Sequence, residues 1–233
     1  MARDALAVIP ARGGSKRIPR KNIRPMSGRP LIAWTIETAL DSGEFSEVIV
    51  STDDPEIAEI AKSEGASVPF TRPSHLANDT ATTGEVMAHA VDFMMNNGFA
   101  GTDVCCLYPS AIFVTIQDLA RSRELLLGDH LYVMSVIEYS HPVQRALFFG
   151  SDDVLTPVYP EFAFTRTQDL EPRFHDAGQF YWGRTVAWSQ TLPAFGNARA
   201  YKLSGGFVVD IDTEEDWNFA ERLHAVSKDL STN

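Results

Sequence analysis

The sequence has few cysteines and no long apolar run. Only two of its 233 residues are cysteine, and Cys105 and Cys106 are neighbours in an apolar segment. Neighbouring residues of a strand point to opposite faces, so we expect two buried thiols and neither a disulfide nor a metal site. No run of 18 apolar residues occurs, and the first residues lack the apolar stretch of a signal peptide. We therefore expect a cytoplasmic protein without a membrane span.

Two other features are weak or missing. The six histidines show no ligand spacing, which gives zinc little support. The formal net charge is -11, and so acidic a chain is not expected to have nucleic acid as its main partner. Hydrophobic residues make up 44% of the chain, which is ample for the core of one main domain spanning residues 1–233.

One segment of this acidic chain is strongly basic. Residues 11–29 follow the apolar run at residues 6–10, and they hold seven of the 20 lysines and arginines but no carboxylate. Gly13 and Gly14 would let the backbone turn tightly and point N–H groups inward, while the cations supply charge for a polyphosphate such as a nucleoside triphosphate. The basic residues are Arg12, Lys16, Arg17, Arg20, Lys21, Arg24 and Arg29.

The basic segment matches no common phosphate motif. Walker A ends in Gly-Lys-Ser/Thr and the dinucleotide fingerprint needs three spaced glycines, and residues 13–16 satisfy neither. A solvated basic loop or a nucleic-acid patch is the alternative. The position after the first strand favours phosphate binding, because open α/β sheets bind ligands at the carboxyl ends of their strands.

Strand and helix patterns alternate along the first 137 residues. We predict strands at 6–10, 48–50, 104–107 and 131–136, separated by helices at about 30–42, 56–64, 83–97 and 115–127. This alternation predicts βαβ units and a Rossmann-like α/β fold, with a mostly parallel sheet flanked by helices. Asp54, before Pro55, reads as the cap of the second helix, although Asp53 and Asp54 could also be metal ligands.

The alternation breaks at residues 138–175. Four prolines and no clear helix indicate a β-rich arm inserted into the domain. The arm either folds on its own sheet or mediates dimerisation, since so short a segment hardly buries five aromatic side chains alone. Those side chains are Phe148, Phe149, Tyr159, Phe162 and Phe164.

A pair of carboxylates stands near the end of the chain. The chain order resumes at residues 178–182, followed by a short helix at 185–189 and a strand at 200–203. Beyond them, Asp210 and Asp212 lie two apart on an extended segment and so point to one side. Such a pair is a natural Mg²⁺ site shared with phosphates and waters. The alternative is that the two aspartates cap the last helix. Thr213 can serve as that cap instead, because it has capping-box spacing to Asp216.

These segments resemble the CMP-sialic acid synthetases in order and spacing, over nearly the whole chain. The matching stretches are residues 9–22, 50–54, 72–73, 76–80 and 210–217. The centre of the chain looks closer to the branch that activates pseudaminic acid, through residues 105–109, 141–147 and 174–183.

The resemblance implies a CTP-dependent cytidylyltransferase with Mg²⁺ as cofactor. It would join CMP to the anomeric hydroxyl of a nine-carbon α-keto acid sugar, releasing pyrophosphate, and would be a homodimer whose arm reaches the partner's active site. Pseudaminic acid is the expected sugar, with N-acetylneuraminic or legionaminic acid as alternatives. A non-catalytic nucleotide-binding regulatory protein is the alternative of another class, and the presence of Lys21, Asp210 and Asp212 together argues against it.

The resemblance also implies site residues. Lys21 would neutralise charge near the α phosphate, Asp212 would orient the sugar hydroxyl, and Asp210 and Asp212 would hold the metal. Tyr108, Gln144, His175 and Gln179 would bind the sugar. The implied CTP-binding residues, of which Arg12, Ser15 and Lys16 would meet the β and γ phosphates, are Ala11, Arg12, Gly13, Gly14, Ser15, Lys16, Asn22, Arg72, Ala81 and Thr83.

Two sugar-side segments depart from the pattern of the sialic acid enzymes. Tyr108 begins a segment where those enzymes have Gln-Pro-Thr-Ser-Pro, and Gln144 stands where they tend to have the lysine of His-Pro-x-Lys. Ile112 also replaces an expected proline. These exchanges weaken the case for N-acetylneuraminic acid and favour a deoxy, more apolar, di-N-acylated sugar.

Overall fold

A computed structural model describes residues 4–126, 128–203 and 207–231. Leu127, the predicted end of the fourth helix, and residues 1–3 of the N-terminal segment lie outside the described residues. No helix in the described part of the chain is both long and apolar enough to cross a membrane.

The strands follow the predicted alternation in the first half of the chain. In order they are β1 (Ala5–Pro10), β2 (Pro25–Met26), β3 (Arg29–Pro30), β4 (Phe45–Ser51), β5 (Asp103–Leu107), β6 (Tyr132–Glu138), β7 (Leu147–Phe149), β8 (Leu155–Pro157), β9 (Phe174–Arg184) and β10 (Ala198–Lys202). The helices are α1 (Leu31–Ser42), α2 (Pro55–Ser63), α3 (Thr83–Asn96), α4 (Ile116–Glu124), α5 (Thr185–Ser189) and α6 (Glu214–Ser231).

Six strands form the central sheet in the order β10-β6-β9-β5-β1-β4. β1 pairs in parallel with β4 and β5, and β10 pairs in parallel with β6. β9 alone among them runs antiparallel to both its neighbours. The predicted Rossmann-like, mostly parallel sheet is therefore confirmed, with one reversed strand inside it.

Helices cover both faces of the sheet. One face packs against apolar residues of α1, α2 and α4, and the other packs against α3 and α5. The side chains of Cys105 and Cys106 enter these two opposite cores, and both are fully buried free thiols, as predicted. β1 is buried along nearly its whole length, so the loop that follows it starts from a rigid base.

Helix starts carry the predicted caps. The Asp54 carboxylate accepts hydrogen bonds from the N–H groups of Glu56 and Ile57 at the start of α2. Thr213 and Asp216 form reciprocal bonds before α6, with Thr213 N donating to Asp216 at 2.8 Å and Asp216 N donating to Thr213 Oγ1 at 3.2 Å. Capping by Thr213 leaves Asp210 and Asp212 free of that task, as the sequence suggested.

The inserted arm stands apart from the central sheet. β7 and β8 pair only with each other among the described strands. Phe148, Phe149 and Phe164 are exposed, with 49%, 74% and 100% of their surface accessible, while Phe162 is partly buried. So much exposed aromatic surface is unusual for an isolated chain.

Candidate active site

The basic loop crosses the carboxyl ends of β1 and β4. Ala11 N donates to Ser51 O at 2.9 Å, and Gly13 N donates to the Asp53 carboxylate at 3.1 Å. The chain near Arg72 joins the same edge, because Arg72 N donates to Thr52 O at 2.8 Å. Three segments that are distant in sequence therefore meet where open α/β sheets bind ligands.

Gly13 has no room for a side chain. A Cβ atom there would lie 2.6 Å from Asp54 Oδ2 and 2.9 Å from Asp54 Cβ, whereas one at Gly14 would meet nothing within 4 Å. The same Asp54 carboxylate also pairs with Arg20, whose hydrogen bond holds the pKa of Asp54 below its usual value. Asp54 thus caps α2 and anchors the loop at once.

The two cations predicted to hold the outer phosphates share one carboxylate. Arg12 Nη1 donates to Asp79 Oδ1 at 2.7 Å and to the backbone oxygen of Asn78 at 3.1 Å. Lys16 pairs with the other oxygen of Asp79. Hydrogen bonds from Lys16 and Arg12 lower the pKa of Asp79, so the carboxylate stays ionised between them. The Asp79 carboxylate lies between two cations, which is where a phosphate would be bound.

Lys21 and Asp212, the predicted catalytic pair, lie side by side. Lys21 Nζ donates to Ile211 O at 2.6 Å and stands 3.7 Å from Asp212 Oδ1. Arg17 pairs with the same oxygen at 2.9 Å. The apolar cluster of Ile18, Ile211 and Trp217 holds this end of the chain against the loop. Residues nearly 200 positions apart are thereby joined at one point.

Asp210 lies beside this pair. Partial desolvation and the negative charge of Asp212 raise the pKa of Asp210, so the two carboxylates lie within electrostatic reach of each other. Among the described residues no three His, Cys, Asp or Glu side chains form a metal cluster. Two carboxylates fit Mg²⁺ specifically, because that ion usually takes one or two protein carboxylates and completes its shell with phosphates and waters.

The residues predicted to meet the nucleoside line the same edge. Arg72 is buried, and desolvation lowers its pKa to about 10, while its guanidinium donates to the side chain and backbone oxygens of Ser51. Asn22 is also buried, and its amide donates to Arg12 O at 3.0 Å. Ala81 N donates to the Asn78 side chain at 2.8 Å, which places Ala81 in the turn that presents Asp79.

Thr83 and Tyr108 connect the nucleoside side to the predicted sugar side. Their hydroxyl oxygens lie 2.9 Å apart in a hydrogen bond. Burial raises the pKa of Tyr108, so its hydroxyl stays protonated. Both residues line a cavity of about 240 Å³ whose other walls include Tyr181, Trp188 and Leu192.

The predicted sugar residues do not line a single cavity. Gln179 is buried and its side chain faces a different cavity of about 180 Å³, beside Asp118 and Tyr201. Its backbone oxygen accepts from Tyr108 N at 2.9 Å, so the two residues are joined through the main chain. Gln144 is buried and bonded to Glu171 O at the base of the arm, and His175 is exposed against Tyr139.

Several residues of this site were not predicted from the sequence. Asp79 lies inside the matching stretch 76–80 but received no role, and Asp53 was considered only as a metal ligand or cap. Asp176 and Tyr181, which hydrogen-bond to each other, were not singled out. The lack of carboxylates within the basic segment was the available signal, because its cations had to find acidic partners elsewhere in the chain.

Known proteins are similar to this chain in sequence and in fold. A family model described as cytidylyltransferase matches residues 6–171. The chain belongs to the cytidylyltransferase family. A pseudaminic acid cytidylyltransferase of Campylobacter jejuni is 38% identical over 95% of this chain and 97% of its own length. The predicted membership in the CMP-sialic acid synthetase group, in its pseudaminate branch, is confirmed.

Two further proteins are similar to this cytidylyltransferase, one in sequence and one in fold. A CMP-N,N'-diacetyllegionaminic acid synthase of Legionella pneumophila is 57% identical over 96% of this chain and 97% of its own length. A CMP:2-keto-3-deoxy-manno-octonic acid synthetase, solved in complex with CTP, has a TM-score of 0.71 at 19% identity and covers 96% of this chain and 99% of that chain. The last likeness supports the fold alone.

Replacing Gly13 by alanine should destabilise the loop of this cytidylyltransferase. The new Cβ would displace Asp54, weakening both the cap of α2 and the pair with Arg20, at a cost of about 1 to 2 kcal/mol in the free energy of unfolding. Gly14→Ala is the matched control and should cost less than about 0.5 kcal/mol. Urea unfolding measures both, and equal effects would show that the Gly13–Asp54 contact has no special role.

Proposed function

We propose that this cytidylyltransferase transfers CMP from CTP to the anomeric hydroxyl of pseudaminic acid and releases pyrophosphate. The observation that carries the proposal is the convergence of Lys21, Asp210 and Asp212 beside a cationic loop at the carboxyl end of β1. A cation and two carboxylates at one point suit a reaction in which a hydroxyl meets a phosphate. We also infer that it works in the cytoplasm, where CTP is available.

The proposed chemistry needs positioning and charge more than a nucleophilic side chain. The sugar oxygen attacks the α phosphorus, the bond to pyrophosphate breaks, and the hydroxyl proton passes to the Asp212 carboxylate. Lys21 is held at a fixed place by Ile211 O, 2.6 Å away, so its charge is already aligned before phosphate arrives. Charges aligned in advance stabilise a transition state without the cost of reorganisation.

Asp210 and Asp212 are the residues that would hold Mg²⁺. When bound, the ion supplies positive charge that neutralises the phosphate oxygens. Asp212 is paired with Arg17 at 2.9 Å and lies 3.7 Å from Lys21, so two cations stand beside the carboxylate that would bind the ion. The chain's own contribution is to present two carboxylates that lie two positions apart on one extended segment.

The choice of sugar rests on the relatives and on the sugar-side residues. A tyrosine at 108 and a glutamine at 144 replace the glutamine and lysine of the sialic acid enzymes, and the tyrosine borders a largely apolar cavity. These features suit a deoxy, di-N-acylated sugar. Legionaminic acid is the second candidate, because the Legionella relative is 57% identical and bears that sugar in its name.

A panel of sugars tests this function directly. Pyrophosphate release is measured with CTP, Mg²⁺ and, in turn, pseudaminic, legionaminic, N-acetylneuraminic and 3-deoxy-octulosonic acids. We expect kcat/KM for pseudaminic acid to exceed that for N-acetylneuraminic acid by ~100-fold or more, because unmatched hydrogen-bonding groups are strongly rejected. A preference for legionaminic acid would reverse the sugar assignment, and no release with any sugar would contradict the proposed transfer.

Lys21→Ala should lower kcat by more than ~100-fold, since it removes a charge aligned with the transition state. The Kd for CTP should rise much less, because the other loop cations remain. Lys62→Ala is the matched control, because Lys62 is exposed on α2 and, within the described part of the chain, its ammonium pairs only with nearby Glu59. Steady-state kinetics and calorimetric titration of CTP separate the two effects. Near-normal kcat in Lys21→Ala would remove this residue from the mechanism.

We further propose that two chains pair through the arm. Phe149 is three-quarters exposed on a hairpin that pairs only with itself among the described strands, and Phe164, further along the arm, is fully exposed. Phe164→Glu should therefore yield monomers at micromolar concentration, because a charge in an apolar contact is costly. Phe219→Glu, on the half-exposed face of α6, is the control and should leave the assembly unchanged. Light scattering measures the oligomeric state of each protein, and a monomeric parent protein would contradict the proposal.

A further inference from the structure

β9 departs from regular pairing beside the carboxylates of the site. On β6, Met134 pairs with Tyr181 and Val136 pairs with Asp176, so residues 177–180 of β9 face a single residue of β6. Bulges of this kind bend a strand and re-aim its side chains, and they are frequent next to active sites. We propose that Asp176 is a positioning residue of the transfer. Its side chain holds this bulge in place, and the bulge shapes both the metal side and the sugar side of the site.

Side chains replace the hydrogen bonds that the bulge interrupts. The hydroxyl of Ser135 donates to Phe180 O at 2.9 Å and accepts from Phe180 N at 3.1 Å. Asp176 Oδ1 accepts from Gly178 N at 2.8 Å, and Asp176 Oδ2 accepts from the Tyr181 hydroxyl. Because a carboxylate is an acceptor at both oxygens, Asp176 can close the bulge at its two ends together.

One end of the bulge touches the metal carboxylates. Gly178 has a φ of 62°, and a Cβ atom on it would lie 3.9 Å from both Cγ and Oδ2 of Asp210. The left-handed backbone at this point is disfavoured for residues with a side chain. Gly178 therefore lies beside Asp210, and the bond from Gly178 N to Asp176 holds its backbone there.

The other end of the bulge touches the predicted sugar wall. The ring of Tyr181 meets the ring of Tyr108 edge-on, with centroids 6.0 Å apart, and Tyr108 bonds to Thr83. All three side chains line the cavity of about 240 Å³. Desolvation and the bond to Asp176 raise the pKa of Tyr181, which keeps its hydroxyl protonated as a donor. The hydrogen bond to Asp176 thus fixes the orientation of the Tyr181 ring, which forms part of the cavity wall.

This inference rests on the proposed function, since it concerns the side of the site where the sugar would bind. Within the described chain, no hydrogen bond or ion pair joins Arg12, Lys16 or Asp79 to the bulge residues Asp176, Gly178 and Tyr181. Loss of the Asp176 bonds should therefore change the sugar step and leave CTP binding nearly intact. Such selectivity is not expected of a residue that only stabilises the fold.

A double-mutant cycle tests the role of Asp176. Tyr181→Phe removes the hydroxyl that donates to Asp176, and Asp176→Asn leaves one acceptor oxygen for the two donors, Gly178 N and the Tyr181 hydroxyl. We expect each change to lower kcat/KM for the sugar about tenfold or more, the scale of one hydrogen bond to a charged group. The double variant should be no worse than the poorer single variant, because both changes remove the same interaction. The Kd for CTP should stay within about twofold, since CTP does not use this bond.

Gly178→Ala tests the metal side of the bulge. It should raise the Mg²⁺ concentration needed for half-maximal activity several-fold, because the new methyl group would contact Asp210 and strain the backbone. Gly98→Ala is the control, since Gly98 also has a positive φ and a Cβ there would meet nothing within 4 Å. Thermal unfolding of every variant shows whether the fold is kept. If Asp176→Asn does not fold, the sugar kinetics and CTP binding of Tyr181→Phe alone test the proposal.

The outcomes separate this inference from the proposed function. The assays use whichever nonulosonic acid the parent protein converts, so the wrong sugar would refute the sugar assignment without affecting the cycle. Additive losses in the double variant, unchanged sugar kinetics, or an equal loss of CTP binding would overturn the role of Asp176. A parent protein that converts no sugar would overturn the proposed function and this inference together.

Discussion

Mutual repulsion among the cations of the loop after β1 is the constraint on which this structure depends. Two unit charges 4 Å apart repel by about 4 kcal/mol near a protein surface, so a loop without carboxylates needs anions from elsewhere. Acidic residues elsewhere in the described chain supply them, among them Asp54 to Arg20, Asp79 to Arg12 and Lys16, and Asp212 to Arg17 and Lys21. Each pairing draws a different segment of the chain to the edge of the sheet.

The same pairings explain why the site can bind an anionic substrate. A triphosphate brings several negative charges to cations that the protein has already gathered and partly balanced. Asp79 and its turn are exposed, so this balance can be exchanged for phosphate without opening the core. Arg72, by contrast, is buried and fixed to Ser51, which suits a residue that shapes a pocket more than one that follows a moving phosphate.

Local sequence patterns were sufficient for much of the fold. The helix at 185–189 and the cap at Asp54 were predicted from neighbouring residues alone, and both are present. The convergence of Asp210 and Asp212 also followed from their spacing on an extended segment. These features depend on interactions within a few residues, which a single sequence displays directly.

Features that depend on distant partners were harder to predict. The reversed direction of β9 and its bulge arise from pairing with β5 and β6, which lie about 40 to 75 residues earlier. That bulge is one reason why Tyr108 and Gln179 face different cavities although their backbones are hydrogen-bonded. The partner of Arg12 and Lys16 was missed for the same reason, since nothing local to residues 11–29 points to Asp79.

We infer that the cations paired with Asp79 form the triphosphate site and that Asp210 and Asp212 hold the metal beside it. A crystal structure with a non-hydrolysable CTP analogue and Mg²⁺ would show both sites at once. We predict triphosphate oxygens on Arg12 and Lys16, Asp79 withdrawn from both, and a metal ion on Asp210 and Asp212. A triphosphate bound elsewhere, with both Asp79 pairs intact, would contradict it.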